Sequence, residues 1–165
     1  MLQNKYSSDK IIGIDPGKSG GICLIHNNEI RASKCPDTTQ GMSDLFSEMV
    51  LDSPTTSFKV VIEKVWARPT DGRVSVFTFA QNYGRWEGII ASHGVEAEYV
   101  IPVTWMKHFS VPRGLRKQER KNHIKHLSKE LLFKHQYVPR MWKGVPTLAT
   151  ADAIMIAKYG VDNVT

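Results

Sequence analysis

Three carboxylates break the hydrophobic pattern of the segments that carry them. Asp15 closes the apolar run IIGID, Glu63 closes VVIE, and Asp152 lies in the alanine-rich stretch TLATADAIMIAKYG. A carboxylate in such a place is costly unless it is paired, hydrogen-bonded or neutralised. If the first and fourth strands are neighbours, Asp15 and Glu63 emerge at one edge of a sheet. Ala149, Ala153 and Ile156 then let the last helix lie close and present Asp152 to them. Taken singly, each acid is better explained as a turn cap, a strand end or a solvated helix position. Taken together, they call for a divalent cation, and an oxygen-only donor set favours Mg²⁺ or Mn²⁺ over zinc. Two such ions, roughly 3.5–4 Å apart, can hold a phosphodiester, activate a water and stabilise the leaving oxygen.

The cationic residues point to the same kind of substrate. The 165-residue chain carries 22 Lys+Arg against 16 Asp+Glu, a formal net charge of +6. Residues 113–143 hold ten Lys/Arg and two Asp/Glu, whereas the remainder holds twelve and fourteen, so the whole excess is local. Arg113, Arg116, Lys117, Arg120 and Lys121 flank a helix start. Lys117, Lys121 and Lys125 then recur every fourth residue, which places them on one face, and Lys129 continues along the helix. A stripe of this kind neutralises phosphates with salt-sensitive affinity, and only Glu119 and Glu130 lie nearby to offset it. Trp66, three residues after Glu63, opens a polar loop; it is placed either to stack on bases or to close one end of the sheet.

Other signals are weaker. Trp86, Trp105 and Trp142 read as structural, and Phe77, Phe79 and Tyr83 as core or subunit packing. His123, His126 and Glu130 stand at i, i+3 and i+7 without a further strong zinc ligand. Gly-Lys-Ser at residues 17–19 lacks the spacing of a phosphate-binding P-loop. Residues 15–21 fit instead a tight strand-to-strand turn that keeps the backbone small beside Asp15. Cys23 and Cys35 have no metal-ligand spacing and read as reduced thiols, which fits a cytoplasmic protein. No window approaches eighteen apolar residues, and the N-terminal residues lack a signal peptide's apolar core, so no membrane is expected.

The elements that must position these residues follow from periodicity. Strands are expected at 10–15, 22–26, 29–34, 59–63 and 95–101, with a turn at Asn27-Asn28. Helices are expected at 38–51 (capped by Thr38 and ended by Pro54), 74–93, 102–109, 117–133 and 148–159. Gly84 and Gly88 mark a place for close packing on the second helix, Gly94 its end, and Gly160 the stop of the last helix. A basic loop runs from 134 through Pro146. The order is β-β-β-α-β-α-β-α-α, one mixed α/β domain over residues 1–165 with its core at about 10–160.

The segments GIDPGKSGG, VVIEKVW and ATADAIMIAKYG, with QNYGRWEGIIASHG, VIPVTWMKHF and the lysine-rich helix between them, resemble RuvC-type Holliday junction resolvases. The order is similar to that of phage and chloroplast members, and the resemblance runs from about residue 11 to 160. It implies an α/β, RNase H-like fold: a five-stranded mixed sheet, β1-β2-β3 antiparallel with β4 and β5 parallel to β1, flanked by helices. It implies a homodimer, joined largely through the 74–93 helix, that cuts four-way branched DNA symmetrically with Mg²⁺ or Mn²⁺. Asp15, Glu63 and Asp152 would then be metal ligands, Lys121 would lie near the scissile phosphate, and Trp66 would stack on junction bases. A phage source would place the protein in the host cytoplasm. The chain departs from many members in lacking an acid or histidine one turn before the last aspartate, where Ala149 stands between Leu148 and Thr150. Fewer protein ligands would then hold a second ion. Three other readings compete: a non-cleaving branched-DNA-binding module, an RNA-processing nuclease of the same fold, and a phosphotransferase of the actin-like type. The last needs two domains and an adenosine site, so no nucleotide cofactor is expected.

Overall fold

The structure is a computed structural model that describes residues 10–26, 29–51, 57–134, 138–139 and 146–163. Its strands are β1 (Lys10–Asp15), β2 (Gly21–His26), β3 (Glu29–Lys34), β4 (Phe58–Glu63), β5 (Ala97–Val100) and β6 (Val138–Pro139). Its helices are α1 (Thr39–Leu51), α2 (Arg73–Ser92), α3 (Pro102–His108), α4 (Lys117–Lys134) and α5 (Ala151–Asn163). The sheet order is β5-β4-β1-β2-β3-β6. The first three strands form an antiparallel meander, β4 runs parallel to β1, and β5 runs parallel to β4. The expected five-stranded arrangement is therefore present. A sixth strand, β6, adds two residues parallel to β3 from a segment that reads as loop because it is too short to show alternation.

β1 and β4 are apolar through their centres, IIGI and VVI, because both of their faces are covered there. On one face α1 and α2 pack on Ile12, Ile14, Ile22, Leu24, Val60 and Ile62. On the other, α5 lies directly against β1, β2 and β4, while α3 and α4 pack on α5 in a further layer. Contact between α5 and the sheet depends on missing side chains. A Cβ on Gly13 would sit 2.3 Å from the Ala157 nitrogen and 2.6 Å from the Ala153 oxygen; one on Gly160 would sit 2.7 Å from Ile11 Cγ2.

Two expectations about this helix need correction. Gly160 does not stop it, because α5 continues to Asn163 and the glycine is there for packing. Nor does the helix begin at 148. The hydroxyls of Thr147 and Thr150 each accept the other's backbone N–H, at 3.2 and 3.0 Å, and hold a turn until Ala151. The residues in closest contact with β1 are accordingly Ala153 and Ala157, with Ile156 buried and Ala149 in the preceding turn.

Two local signals behave as expected, and a third does not. Thr38 Oγ1 accepts the Gly41 N–H at 3.0 Å and caps α1. Gly94, with φ of +69°, follows the end of α2 in the left-handed conformation that glycine supplies. Gly84 and Gly88, expected to pack closely, meet nothing within 4 Å, and Val74 and Phe77 on the same helix are 81% and 70% exposed. Asn27-Asn28, Pro54 and Trp142 lie outside the described residues.

Candidate metal centre and flanking grooves

β1 and β4 are neighbours in parallel register, Ile14 opposite Ile62, so the next residue of each, Asp15 and Glu63, leaves the sheet at the same edge. α5 begins at that edge and carries Asp152 in its first turn. All three acids are half-buried: protein surrounds them while one side stays open to solvent. Burial raises the Asp15 pKa, opposed by the Gly17 N–H and by Lys121. Burial, then the charge of Asp15, pushes Glu63 up to about 8, with Trp105 and Arg120 opposing and Asp152 adding to the rise. Burial and Asp15 likewise push Asp152 up to about 7 against the pull of Lys121 and Arg120.

The loop after β1 is built around Asp15. The Gly17 N–H donates to Asp15 Oδ1 at 3.1 Å, and Gly20 folds back so closely that a Cβ there would lie 2.6 Å from the Asp15 Cγ. Asn82, buried on α2, donates through Nδ2 to the Pro16 carbonyl at 2.8 Å. A strand, not a helix, follows the loop, which is incompatible with a P-loop. Glu63 is held from the other side, where the Trp105 indole N–H donates to Oε1 at 2.8 Å.

The donor set can be tested against the expected cation. Three carboxylates face two basic side chains, Arg120 and Lys121; burial raises all three pKa values, Asp15 adds to the rise of Glu63 and Asp152, and Asp152 adds to that of Glu63. Carboxylate oxygens alone suit a hard divalent ion. Among the described residues, however, no three His, Cys, Asp or Glu side chains are gathered tightly enough to enclose one ion. The acids thus share one electrostatic environment but do not form a closed cage.

Two depressions are lined by residues near the acids in sequence or in charge, though by none of the acids themselves. One, of about 920 Å³, is bordered by the 17–19 turn, Lys34, Trp66, Phe79, Tyr83 and Lys117. Trp66 is 61% exposed there, so it does not close the end of the sheet. The other, of about 510 Å³, is lined by Lys107, Arg113 and Arg120 together with Met106 and Leu115. Arg116 contributes its backbone N–H to the Glu119 carboxylate at 2.9 Å, capping α4. Neither the Arg116 side chain nor Lys125 touches the acids among the described residues. His126 Nε2 lies 3.5 Å from Glu130 Oε1 on the exposed side of α4, and Cys23 and Cys35 are both free and buried.

Sequence reasoning missed two residues at this site. Trp105 reads as core, and it is buried, but its polar atom is committed to Glu63. Asn82 carries no signal at all beyond being a polar residue on the inward face of an amphipathic helix. A pattern search for buried-face Asn would have found it.

The sheet order and the crossing of α5 over β1 are those of an RNase H-like fold. Within that class the chain shares the fold of RuvC. Thermus thermophilus RuvC in complex with a Holliday junction substrate superposes with a TM-score of 0.55, at 15% identity over 90% of each chain. A second T. thermophilus RuvC structure gives 0.48, at 16% identity over 90% of each chain. The yeast mitochondrial Holliday junction resolvase Ydc2 gives 0.49, at 13% identity over 96% of this chain and 80% of that one. No protein-family model and no curated protein sequence matches the chain.

Proposed function

We propose that the chain is a divalent-metal-dependent endonuclease that resolves four-way DNA junctions as a homodimer. The observation that carries this reading is the convergence of Asp15, Glu63 and Asp152, from β1, β4 and α5, beside Lys121 and Arg120. The shared fold with a RuvC that is bound to a Holliday junction supports the choice of substrate. Asp15, Glu63 and Asp152 would hold Mg²⁺ or Mn²⁺, two ions in full occupancy, which supply a nucleophilic water and neutralise the phosphodiester. Lys121, in electrostatic reach of Asp15 and Asp152, draws the scissile phosphate toward the acids and offsets its charge. Trp66 and Lys117 hold one side of the strand in the larger groove. Arg113 and Arg120 hold the other side, and Arg116 and Lys125 contact phosphates further along the arms. In-line attack leaves a 3′-hydroxyl and a 5′-phosphate.

The exposed face of α2 around Phe77 and the open Gly88 suits a second copy of the chain. Two sites across one junction would give paired, symmetric nicks. The test is cleavage of labelled four-way junction, flap, linear duplex and RNA–DNA hybrid with Mg²⁺ and Mn²⁺ in parallel. Paired nicks in the junction are expected, and Asp15→Asn should abolish them while leaving junction binding intact. Unchanged cutting by that variant would remove Asp15 from the reaction, and a preference for the hybrid would favour RNA processing. Ala149, standing where an acid would complete the set, favours one second reading: a module that binds junctions without cutting, which the same assay reports as retention without product.

A further inference from the structure

We propose that Trp105 is a positioning residue for Glu63, and that its indole N–H sets how tightly the site holds its divalent ion. This rests on the metal-dependent reading above. The indole nitrogen is a donor with no accepting capacity, and it points at one defined atom, Glu63 Oε1, at 2.8 Å. Trp105 is 1% exposed, within the apolar cluster that includes Val111 and Ile124, so the ring cannot swing away. Its backbone is equally fixed. α3 opens with Pro102 directly after β5, and the Lys64 N–H donates to the Val100 carbonyl at 2.8 Å, tying the end of β4 to the end of β5. Glu63 therefore closes β4, and Trp105 rides on the short helix that follows β5, with the ends of the two strands tied together.

Filling space alone would not require this residue. Trp86 is equally buried, yet its indole nitrogen has no hydrogen-bond partner among the described residues. Trp86 behaves as apolar filling; Trp105 directs its one polar atom at a carboxylate of the site. A hydrogen bond to an ionised carboxylate favours the charged form and restricts rotation about the carboxyl group. With Oε1 engaged, Oε2 is the oxygen left for other partners. Partners of this kind, which orient a metal-binding group from behind, typically change metal affinity by about 10–100-fold when removed.

Trp105→Phe keeps most of the ring and deletes the donor. In the full-length protein without DNA, the Mn²⁺ dissociation constant, read by electron paramagnetic resonance, should rise about tenfold or more. The metal concentration for half-maximal cleavage should rise in step, while the rate at saturating Mn²⁺ returns toward wild type. Wild-type Mn²⁺ affinity in a folded Trp105→Phe protein would overturn the proposal. If that variant fails to fold, the wild-type protein with ¹⁵N-labelled tryptophan carries the test instead. One indole N–H resonance should shift on Mg²⁺ addition, and the shift should vanish in Glu63→Gln; four indole signals unmoved by Mg²⁺ would overturn it. Wild-type protein that neither binds Mn²⁺ nor cuts junctions would sink the proposed function itself. Wild-type protein that does both while Trp105→Phe matches it would sink only the role of Trp105.

Discussion

α5 and α4 lie on the same side of the sheet and each brings charge to the acid edge, but they are held there by opposite means. α5 touches the sheet directly, and Ala151, Ala153, Ile154, Met155, Ile156, Ala157 and Gly160 are all buried. α4 packs on α5 one layer further out, with Ile124, Ser128 and Leu131 buried along a thin seam. The rest of its surface carries Lys117, Arg120, Lys121, Lys125 and Lys129. Asp152 is thus placed by close packing, which tolerates no added volume, whereas the cations are placed by a helix whose outer face is open. Substitutions should divide accordingly, those under α5 acting on folding and those on α4 acting on nucleic-acid affinity.

The largest expected effect comes from Gly13→Val. A side chain there meets the α5 backbone and not a flexible tip, so destabilisation of about 3 kcal/mol or more is expected in chemical-denaturation curves. Ser128→Ala is the matching change under α4. It removes a hydroxyl that donates to the Lys125 carbonyl at 2.8 Å, with a loss of about 1 kcal/mol. Similar losses for the two would remove the contrast.

Proton linkage gives the next effect. Glu63 and Asp152 sit at about 8 and about 7, above their ordinary 4.5 and 3.8, so the folded chain holds their protons at pH values where the unfolded chain has released them. Their contribution to stability is full below the ordinary values and is lost as pH rises through about 7 to 8. The metal-free melting temperature should therefore fall between about pH 5 and pH 8, by roughly 2–4 °C per kcal/mol lost. Asp152→Asn should flatten that fall, and added Mg²⁺ should restore more stability near pH 8 than near pH 5. A flat melting profile would contradict the shared environment of the acids.

Smaller effects belong to the surface. Trp66→Ala should weaken junction binding by about 1–3 kcal/mol in gel-shift titrations if a base stacks there, with no change in melting. Lys117→Gln should lower the slope of log affinity against log salt by about one while leaving stability within about 0.5 kcal/mol. A melting change from Lys117→Gln would mean that α4 is held more like α5 than its exposure indicates, and one from Trp66→Ala that the exposed indole also packs.

Much of this division was legible in the sequence. Asp15, Glu63 and Asp152 stand out because a carboxylate in an apolar run violates the pattern around it, and the strands carrying two of them are continuous apolar segments. The helices α1, α2 and α4 fall within a residue or so of expectation, since each has a periodic face, and Thr38 and Gly94 mark an end of α1 and of α2. What was hidden depends on long-range contact. Gly13 looks like any strand glycine until α5 is laid across it. Gly160 imitates a helix stop because packing and termination use the same residue. Trp105 hides a polar task inside an apolar neighbourhood, and Asn82 is informative only once Pro16 is known to lie opposite.

The order in which the acids enter the chain has a consequence for timing. Asp15 and Glu63 belong to strands made early in synthesis, but Asp152 arrives with the last described helix. Until α5 docks, a growing chain exposes Gly13 and the apolar residues beside it, and it holds only two of the three acids. On the reading proposed above, a growing chain cannot cut DNA until Asp152 has been made and α5 has docked, and that docking contact is the same one that switches the chemistry on.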